Sequence, residues 1–318
     1  MTFKTMTISL IRLTFIQGLK SIVLGEIAGY PSIRIVEQHE DTIYIEPSAD
    51  LKKLKQLRSV LNVHLIQRSA EFNPHFISNH KSKIGGLIDA VLDENSNEFR
   101  TFNLSCAGSD SKDVLEIMKY IEHTYNLTIA DEADMELYIG KSNGVWEIGA
   151  RLTSRPLSLR DYKIANIKGG LNTTAAYAMN SLCTLDHARS YLNIFSGSAT
   201  LLVEAGIFNS GLKLCGFDID GKTIALAVQN IKKAGLLKKI ELKRADIFDM
   251  PDFGKFDVIT SDLPFGMQIA KGEDLEKLYQ CFVDYCERTL HPGGMLVAFT
   301  SEHALLQDIL ERSKFTIT

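Results

Sequence analysis

Apolar and polar residues alternate along KTMTISLIRLTF, residues 4–15, which predicts a strand, and the spacing changes at once in QGLKSIVLGEIAG. There Leu19, Ile22, Val23 and Ile27 recur at the i, i+3, i+4 interval of an amphipathic helix. IRIVEQ and DTIYIEP are β-branched runs across a polar turn and predict a hairpin, DLKKLKQLRSV a short helix, and NVHLIQRS a closing strand. The resulting β-α-β-β-α-β order is ferredoxin-like and occupies residues 1–70. A second α/β unit follows over 71–153, with helices at HKSKIGGLIDAVLDE and SDSKDVLEIMKYIEHTYNL and strands at TFNLSC, MELYIGK and VWEIGARLT. Residues 154–190 read as a basic linker with a connecting helix.

From Tyr191 the period becomes regular: SYLNIF, LKLCGFDI, KIELKRAD, FDVITSDL and GMLVAFTS read as strands. GSATLLVEAGIF, GKTIALAVQNIKKAG, LEKLYQCFVDYCERTL and EHALLQDILERS read as helices between or after them. This alternation over 191–318 predicts a mainly parallel sheet covered on both faces, with ligands at the carboxyl ends of its strands. Those ends carry the chemistry. The first, NIFSGSAT, brings small residues against a helix start, where free N–H groups meet a ligand. It lacks the GxGxxG and GxxxxGK[ST] fingerprints. The second ends at Asp218, placed to accept from ribose hydroxyls, and the third at Asp246, placed to accept from an adenine amino group. Ile219 and Ile247 flank that base. Together they describe a nucleoside pocket without a pyrophosphate clamp. The fourth ends in SDLPFG: Asp262 and the Leu263 carbonyl can accept from an exocyclic amine, Pro264 stiffens the turn, Phe265 offers a stacking face, and Gly266 permits close approach.

Composition excludes more than it assigns. With 318 residues, 45% hydrophobic and 23% charged, the chain has material for two domains. No run approaches the ~20 apolar residues of a membrane helix, and the N-terminus lacks a signal-peptide core, so the cytoplasm is the expected compartment. The five cysteines form no CxxC pair; reduced thiols and no metal are expected. Lone His123 and Trp146 read as helix surface and core filler. Net charge is −4, but residues 151–168 gather Arg151, Arg155, Arg160, Lys163 and Lys168 around a single acid, Asp161, in a connector able to track a phosphate backbone or simply to be solvated.

The series NIFSGSAT, GFDID, RAD and SDLPFG resembles the class I S-adenosylmethionine-dependent methyltransferases, and DLPF is similar to the (D/N)-x-P-(Y/F) motif of enzymes that methylate base nitrogens. ARLTSRPLSLRDYK followed by GGLNTTAAYAMNSL resembles the junction of THUMP-domain RNA methyltransferases, and the ferredoxin-like plus α/β order before it matches their N-terminal half. The DLPF form looks most like the subgroup that makes N2-methylguanosine in tRNA. The resemblance implies a Rossmann-like class I methyltransferase sheet preceded by a ferredoxin-like plus THUMP RNA-binding region that grips the acceptor end of a tRNA. It implies S-adenosylmethionine around Asn193, Phe195, Gly197, Asp218, Ile219, Asp246 and Ile247. It puts the guanine at Asp262, Leu263, Pro264 and Phe265, and RNA contacts at Arg151, Arg155, Arg160, Tyr162 and Lys163. No activating protein partner is assigned.

Three features depart from the family. Its first motif usually reads like DPFCGSGT, and here Asn193 replaces the acid and Ala199 a glycine. TFNLSC lacks the arginine common in that THUMP strand. KFTIT falls where a sixth strand is expected, so either the chain is truncated or the sheet edge is completed differently. The competing readings are a cofactor-impaired RNA-binding protein with a degenerate methyltransferase domain, and an adenine-N6 nucleic-acid methyltransferase.

Overall fold

In a computed structural model the chain divides into two compact units, residues 1–159 and 160–318. The structure describes residues 8–47, 50–69, 72, 74–94, 99–108, 111–142, 144–265 and 275–318, so Gly266 of the SDLPFG turn lies outside the described residues.

The first unit runs β1 (Ile8–Thr14), α1 (Lys20–Ala28), β2 (Ile35–Gln38), β3 (Thr42–Ile45), α2 (Leu51–Leu54) and β4 (Asn62–Arg68). It continues with α3 (Lys81–Glu94), β5 (Thr101–Cys106), α4 (Lys112–Tyr125), β6 (Thr128–Ile129), β7 (Met135–Ser142) and β8 (Val145–Arg151). The segments expected as separate 1–70 and 71–153 domains share one eight-stranded sheet, in the order β2-β3-β1-β4-β8-β7-β5-β6. They join where β4 pairs antiparallel with β8, His64 opposite Arg151 and Arg68 opposite Glu147. Period-2 alternation sends Ile11, Leu13, Val63, Leu137, Ile139, Ile148 and Ala150 into one core with Val114, Ile117 and Ile121 of α4. The expected helix at 50–60 shortens to one turn, capped by Asp50. Beyond it Leu57 and Val60 are buried, and the N–H groups of Arg58 and Ser59 donate to Glu26 instead, at 2.7 and 2.9 Å.

The opposite parity of the same strands carries a polar cluster. Buried Glu147 accepts from Arg12 (2.9 Å), Arg68 (3.2 Å) and Tyr138 Oη (2.7 Å). The Arg12 and Arg68 guanidiniums lie 4.1 and 4.0 Å over the rings of Tyr138 and Tyr44. Gly149 is required here, because a Cβ would meet the Tyr138 ring at 2.0 Å. Burial, then the neighbouring Arg12 and Arg151, push His64 down to about 3, so it is neutral at physiological pH.

The second unit runs α5 (Thr173–Leu182), β9 (Ser190–Ile194), α6 (Thr200–Phe208), β10 (Lys213–Asp218), α7 (Gly221–Lys233), β11 (Ile240–Arg244), β12 (Phe256–Asp262), α8 (Leu275–Thr289), β13 (Leu290–Phe299) and α9 (His303–Glu311). Its five strands are parallel, in the order β11-β10-β9-β12-β13. Alternate residues face opposite layers. Leu192, Ile194 and Phe217 meet α8 and α9, whereas Tyr191, Leu214 and Val258 meet α6 and α7. The order reverses between β9 and β12, so a crevice opens at their carboxyl ends. Residues 314–318 form no strand, and Phe315 packs against the α8–α9 layer. The five cysteines are free thiols, with Cys183, Cys215 and Cys286 buried. No helix of the described residues is long and apolar enough to cross a membrane.

Candidate active site

Four strand ends converge on one cavity of about 390 Å³. After β9 the chain turns through three left-handed residues, Phe195 (φ 55°), Gly197 (φ 51°) and Ala199 (φ 62°). A Cβ on Gly197 would meet Ile167 Cδ1 at 3.1 Å, so the turn is tight as well as left-handed. The Ser196 N–H donates to the Phe217 carbonyl (2.8 Å) and the Gly197 N–H to Asp218 Oδ2 (2.9 Å), tying the first junction to the second. Asp218 Oδ1 accepts from the Asp220 N–H at 3.0 Å. Asp220 caps α7, and its bonds to Thr223 and to the amides of Lys222 and Thr223 hold its carboxyl below the usual range. Asp246 accepts from the Phe248 N–H at 3.0 Å and starts a single 3-10 turn over Ile247–Asp249.

The fourth junction is built from beneath. Ser261 Oγ donates to the Ile194 carbonyl (2.9 Å), and Tyr279 Oη of α8 donates to the Pro264 carbonyl (3.1 Å) while meeting Thr300 Oγ1 at 2.6 Å. Burial pushes the Asp262 carboxyl up to about 6, with Lys163 pulling it the other way.

Asn193, Phe195, Gly197, Asp218, Ile219, Asp246, Ile247, Asp262 and Pro264 all line this cavity. The side chains of Leu263 and Phe265 are not part of the lining, and the acceptor expected at Leu263 is its backbone carbonyl. Leu263 is 1% exposed in the core and its N–H donates to the Phe299 carbonyl at 2.9 Å. Asn193 spends its amide N–H groups on the carbonyls of Ile194 (3.3 Å) and Thr260 (3.1 Å). Its Oδ1, an acceptor, and the Ser196 Oγ, a hydroxyl that can donate or accept, are buried without hydrogen-bond partners among the described residues.

The basic connector does not form the RNA-facing surface expected of it. Arg151 is 4% exposed and fully engaged, with Glu136 at 2.6 Å and the carbonyls of Ala133, Asp134, Thr153 and Ser154 around it. In the second unit Tyr162 is buried and donates to Glu204 at 2.7 Å, and Arg160 lies 3.5 Å from the same carboxylate. Lys163 donates to the Leu171 carbonyl at 2.5 Å. Of these side chains only Arg155 is exposed, and so is Lys168, the remaining cation of the connector. A polar partner met in the fold engages each of the other four expected contacts, an effect invisible to a count of charges.

The sequence reading also missed a wall of the site. Ile167 to Leu171 cross the cavity beside the β9 turn. This strap is pinned by buried Asn230, which accepts from the Ala165 N–H (2.9 Å) and donates to the carbonyls of Ala165 (2.8 Å) and Ser198 (3.1 Å). Its available signal was the pair Gly169-Gly170, the first left-handed at φ 73° and the second with Ile167 Cγ1 3.0 Å from where a Cβ would stand.

A 3-2-1-4-5 parallel sheet, a small-residue turn after its first strand, acids after the second and third, and an Asp-Leu-Pro-Phe turn after the fourth define a class I methyltransferase domain. Residues 160–317 match the family model described as UPF0020, RMKL-like, methyltransferase domain. The U6 snRNA (guanine-N(2))-methyltransferase THUMPD2 of Mus musculus is 27% identical over 231 residues, 69% of this chain and 42% of that protein. The tRNA (guanine(6)-N2)-methyltransferase of Thermus thermophilus is 32% identical over 165 residues, 51% of this chain and 49% of that protein. The chain thus spans less than half the length of these relatives. The crystal structure of TrmN from Thermus thermophilus superposes with a TM-score of 0.74 at 22% identity, covering 95% of this chain and 92% of that one, and so shares its fold.

Proposed function

We propose that the protein is an S-adenosylmethionine-dependent RNA methyltransferase that forms N2-methylguanosine in tRNA. The observation that carries this reading is the presence of Asp262 and Pro264 in the same cavity as Asp218 and Asp246. The guanine-N2 activities named for the mouse and Thermus relatives support the choice of base, and the Thermus relative the choice of tRNA.

The residues fit the cofactor. Asp218 would hold the ribose, Asp246 with Ile219 and Ile247 the adenine, and Asn193 Oδ1, which has no hydrogen-bond partner among the described residues, would accept from the amino end. Asn193 therefore keeps the acceptor that an aspartate would supply. When bound, S-adenosylmethionine supplies an electrophilic methyl group on a sulfonium. The protein's part is alignment: Asp262 accepts one N–H of the guanine amine and thereby aims the nitrogen lone pair at the methyl. Tyr279, through the Pro264 carbonyl, keeps that turn from yielding. The charged carboxylate also stabilises the positive charge that develops on nitrogen, and it is within the same cavity to receive the proton released afterwards. In this reading the first unit is the THUMP-containing half, holding the acceptor end of a tRNA, with Arg155 among its contacts.

Incubation with methyl-labelled S-adenosylmethionine and unmodified tRNA, or U6 snRNA transcript, followed by nucleoside mass spectrometry, tests the reading. Label in N2-methylguanosine of tRNA is expected. Label confined to U6 would move the substrate, and label confined to N6-methyladenosine would overturn the choice of base.

A further inference from the structure

Asn230 of α7 is fully buried and does not line the cavity, yet its carboxamide bonds to two segments that lead into it. Its Oδ1 accepts from the Ala165 N–H at 2.9 Å, just before the Ile167–Leu171 strap. Its Nδ2 donates to the Ala165 carbonyl at 2.8 Å and to the Ser198 carbonyl, in the left-handed turn after β9, at 3.1 Å. A carboxamide offers two donors and an acceptor from one planar group, whereas a carboxylate offers acceptors alone. The two segments also pack on each other. Ile167 Cδ1 lies 3.1 Å from where a Cβ on Gly197 would stand, and Ser198 Oγ 3.7 Å from where one on Gly170 would stand. Ile167 to Leu171 and Phe195 to Ser198 all line the cavity.

We propose that Asn230 is a positioning residue for the cofactor: its carboxamide locks the strap onto the turn, so that both walls of the cavity stand in place before S-adenosylmethionine arrives. The inference rests on the cofactor reading of the cavity given under the proposed function. The strap needs such a lock. Gly169, at φ 73°, and Gly170 beside it leave the backbone there with few steric limits of its own. The bonds made within the segment, from the Gly170 N–H to the Ile167 carbonyl (3.1 Å) and from Lys163 to the Leu171 carbonyl (2.5 Å), shape it without tying it to the turn. A ligand that binds only the formed cavity loses affinity in proportion to the time the walls spend apart. A side chain that never touches the cofactor thereby sets how tightly it is held.

Two variants of the full chain test this. Asn230→Asp keeps the acceptor and loses both donors, and Asn230→Ser keeps one shorter donor that can also accept; should one fail to fold, the other carries the test. Isothermal calorimetry with S-adenosylmethionine should show Kd raised about tenfold in Asn230→Asp, from the loss of two hydrogen bonds, and by less in Asn230→Ser. Hydrogen exchange of the free protein should quicken in the strap and in the turn after β9 while the α8–α9 layer keeps its wild-type rates. In methyl transfer to unmodified tRNA, KM for S-adenosylmethionine should rise with kcat held within about twofold. A lower Tm with an unchanged Kd, or exchange that rises evenly across the second unit, would mean a merely structural asparagine and overturns the proposal. If wild-type protein binds no S-adenosylmethionine, the cofactor reading falls, whereas the exchange pattern still decides whether Asn230 locks the strap to the turn.

Discussion

Asp262→Asn should stop the chemistry and stabilise the fold in the same stroke. The carboxyl titrates at about 6 instead of 3.8, chiefly because burial disfavours its charged form. At 1.36 kcal/mol per unit, the folded protein above pH 6 carries a penalty of about 3 kcal/mol that the unfolded chain does not, and partial solvent access trims this to about 2–3. The sign is that of an acid whose folded value is raised: its contribution to stability is full below pH 3.8 and is lost as pH rises through 6. Asparagine mimics the protonated acid and carries no such penalty. At pH 7.5, calorimetry should therefore show the second unit unfolding roughly 5–10 °C higher in the variant, given ~2–4 °C per kcal/mol for a unit of this size. At pH 5 the gain should shrink to about half, because the wild-type carboxyl is then largely protonated in the folded state. Methyl transfer should fall about 10²–10⁴-fold, the usual contribution of a positioned proton acceptor. A variant no more stable than wild type at pH 7.5, or a gain that does not change with pH, would refute the reasoning that Asp262 is held charged against its surroundings for function.

Other perturbations reach different parts of the same cavity. Asp218→Ala removes the ribose acceptor and frees the Gly197 N–H it holds at 2.9 Å; isothermal calorimetry should show S-adenosylmethionine binding weakened by about 10²-fold, from one or two charge-assisted hydrogen bonds. Ala199→Gly relieves a non-glycine residue at φ 62°, worth ~1–2 kcal/mol, against ~0.5–1 kcal/mol of added backbone entropy in the unfolded chain. Thermal unfolding should show a net gain of about 0.5–1 kcal/mol. Glu204→Gln leaves the Arg160 guanidinium without its buried anion, and should cost about 3 kcal/mol by the same measurement.

The catalytic fold was legible because its signals are local. The central strands of the parallel sheet announce themselves by apolar runs, β11 by the alternation of Ile240 and Leu242 with polar residues, and α7 by Asp220 at its cap and a one-sided apolar face burying Ala227 and Ile231. The strand-end acids could be placed on one rim because a parallel sheet puts every carboxyl end on the same edge. What failed depends on partners far along the chain. The two-residue β6 exists only because Thr128 and Ile129 pair beside Thr101 and Phe102, and its own residues carry no pattern. The last strand starts at Leu290, four residues before the expected Gly294, because Leu290 pairs with Phe256 across a register shift. Phe265 was given a stacking role from its residue type, but whether a ring faces a cavity depends on the turn's path.

The connector shows most plainly how charge in a sequence can mislead. Arg151, Arg160, Tyr162 and Lys163 were grouped because they are near in sequence and resemble a family junction, and a cationic run with a single acid, here Asp161, normally means a solvated or nucleic-acid-facing surface. Each instead meets an acceptor supplied from elsewhere: Glu136 from β7 for Arg151, Glu204 from α6 for Arg160 and Tyr162, and the strap's Leu171 for Lys163. The long-range partners neutralise the run and convert it from a surface into a brace. Within the second unit Arg160, Tyr162 and Lys163 are tied down in the segment that leads into the Ile167–Leu171 wall, so these residues read as binding RNA serve packing there. An RNA-binding surface on this protein must then draw on exposed cations, and in the connector those are Arg155 and Lys168. Substituting Arg151 or Arg160 would disturb folding before it disturbed RNA affinity, and only a loss of affinity without a loss of stability would identify a true contact.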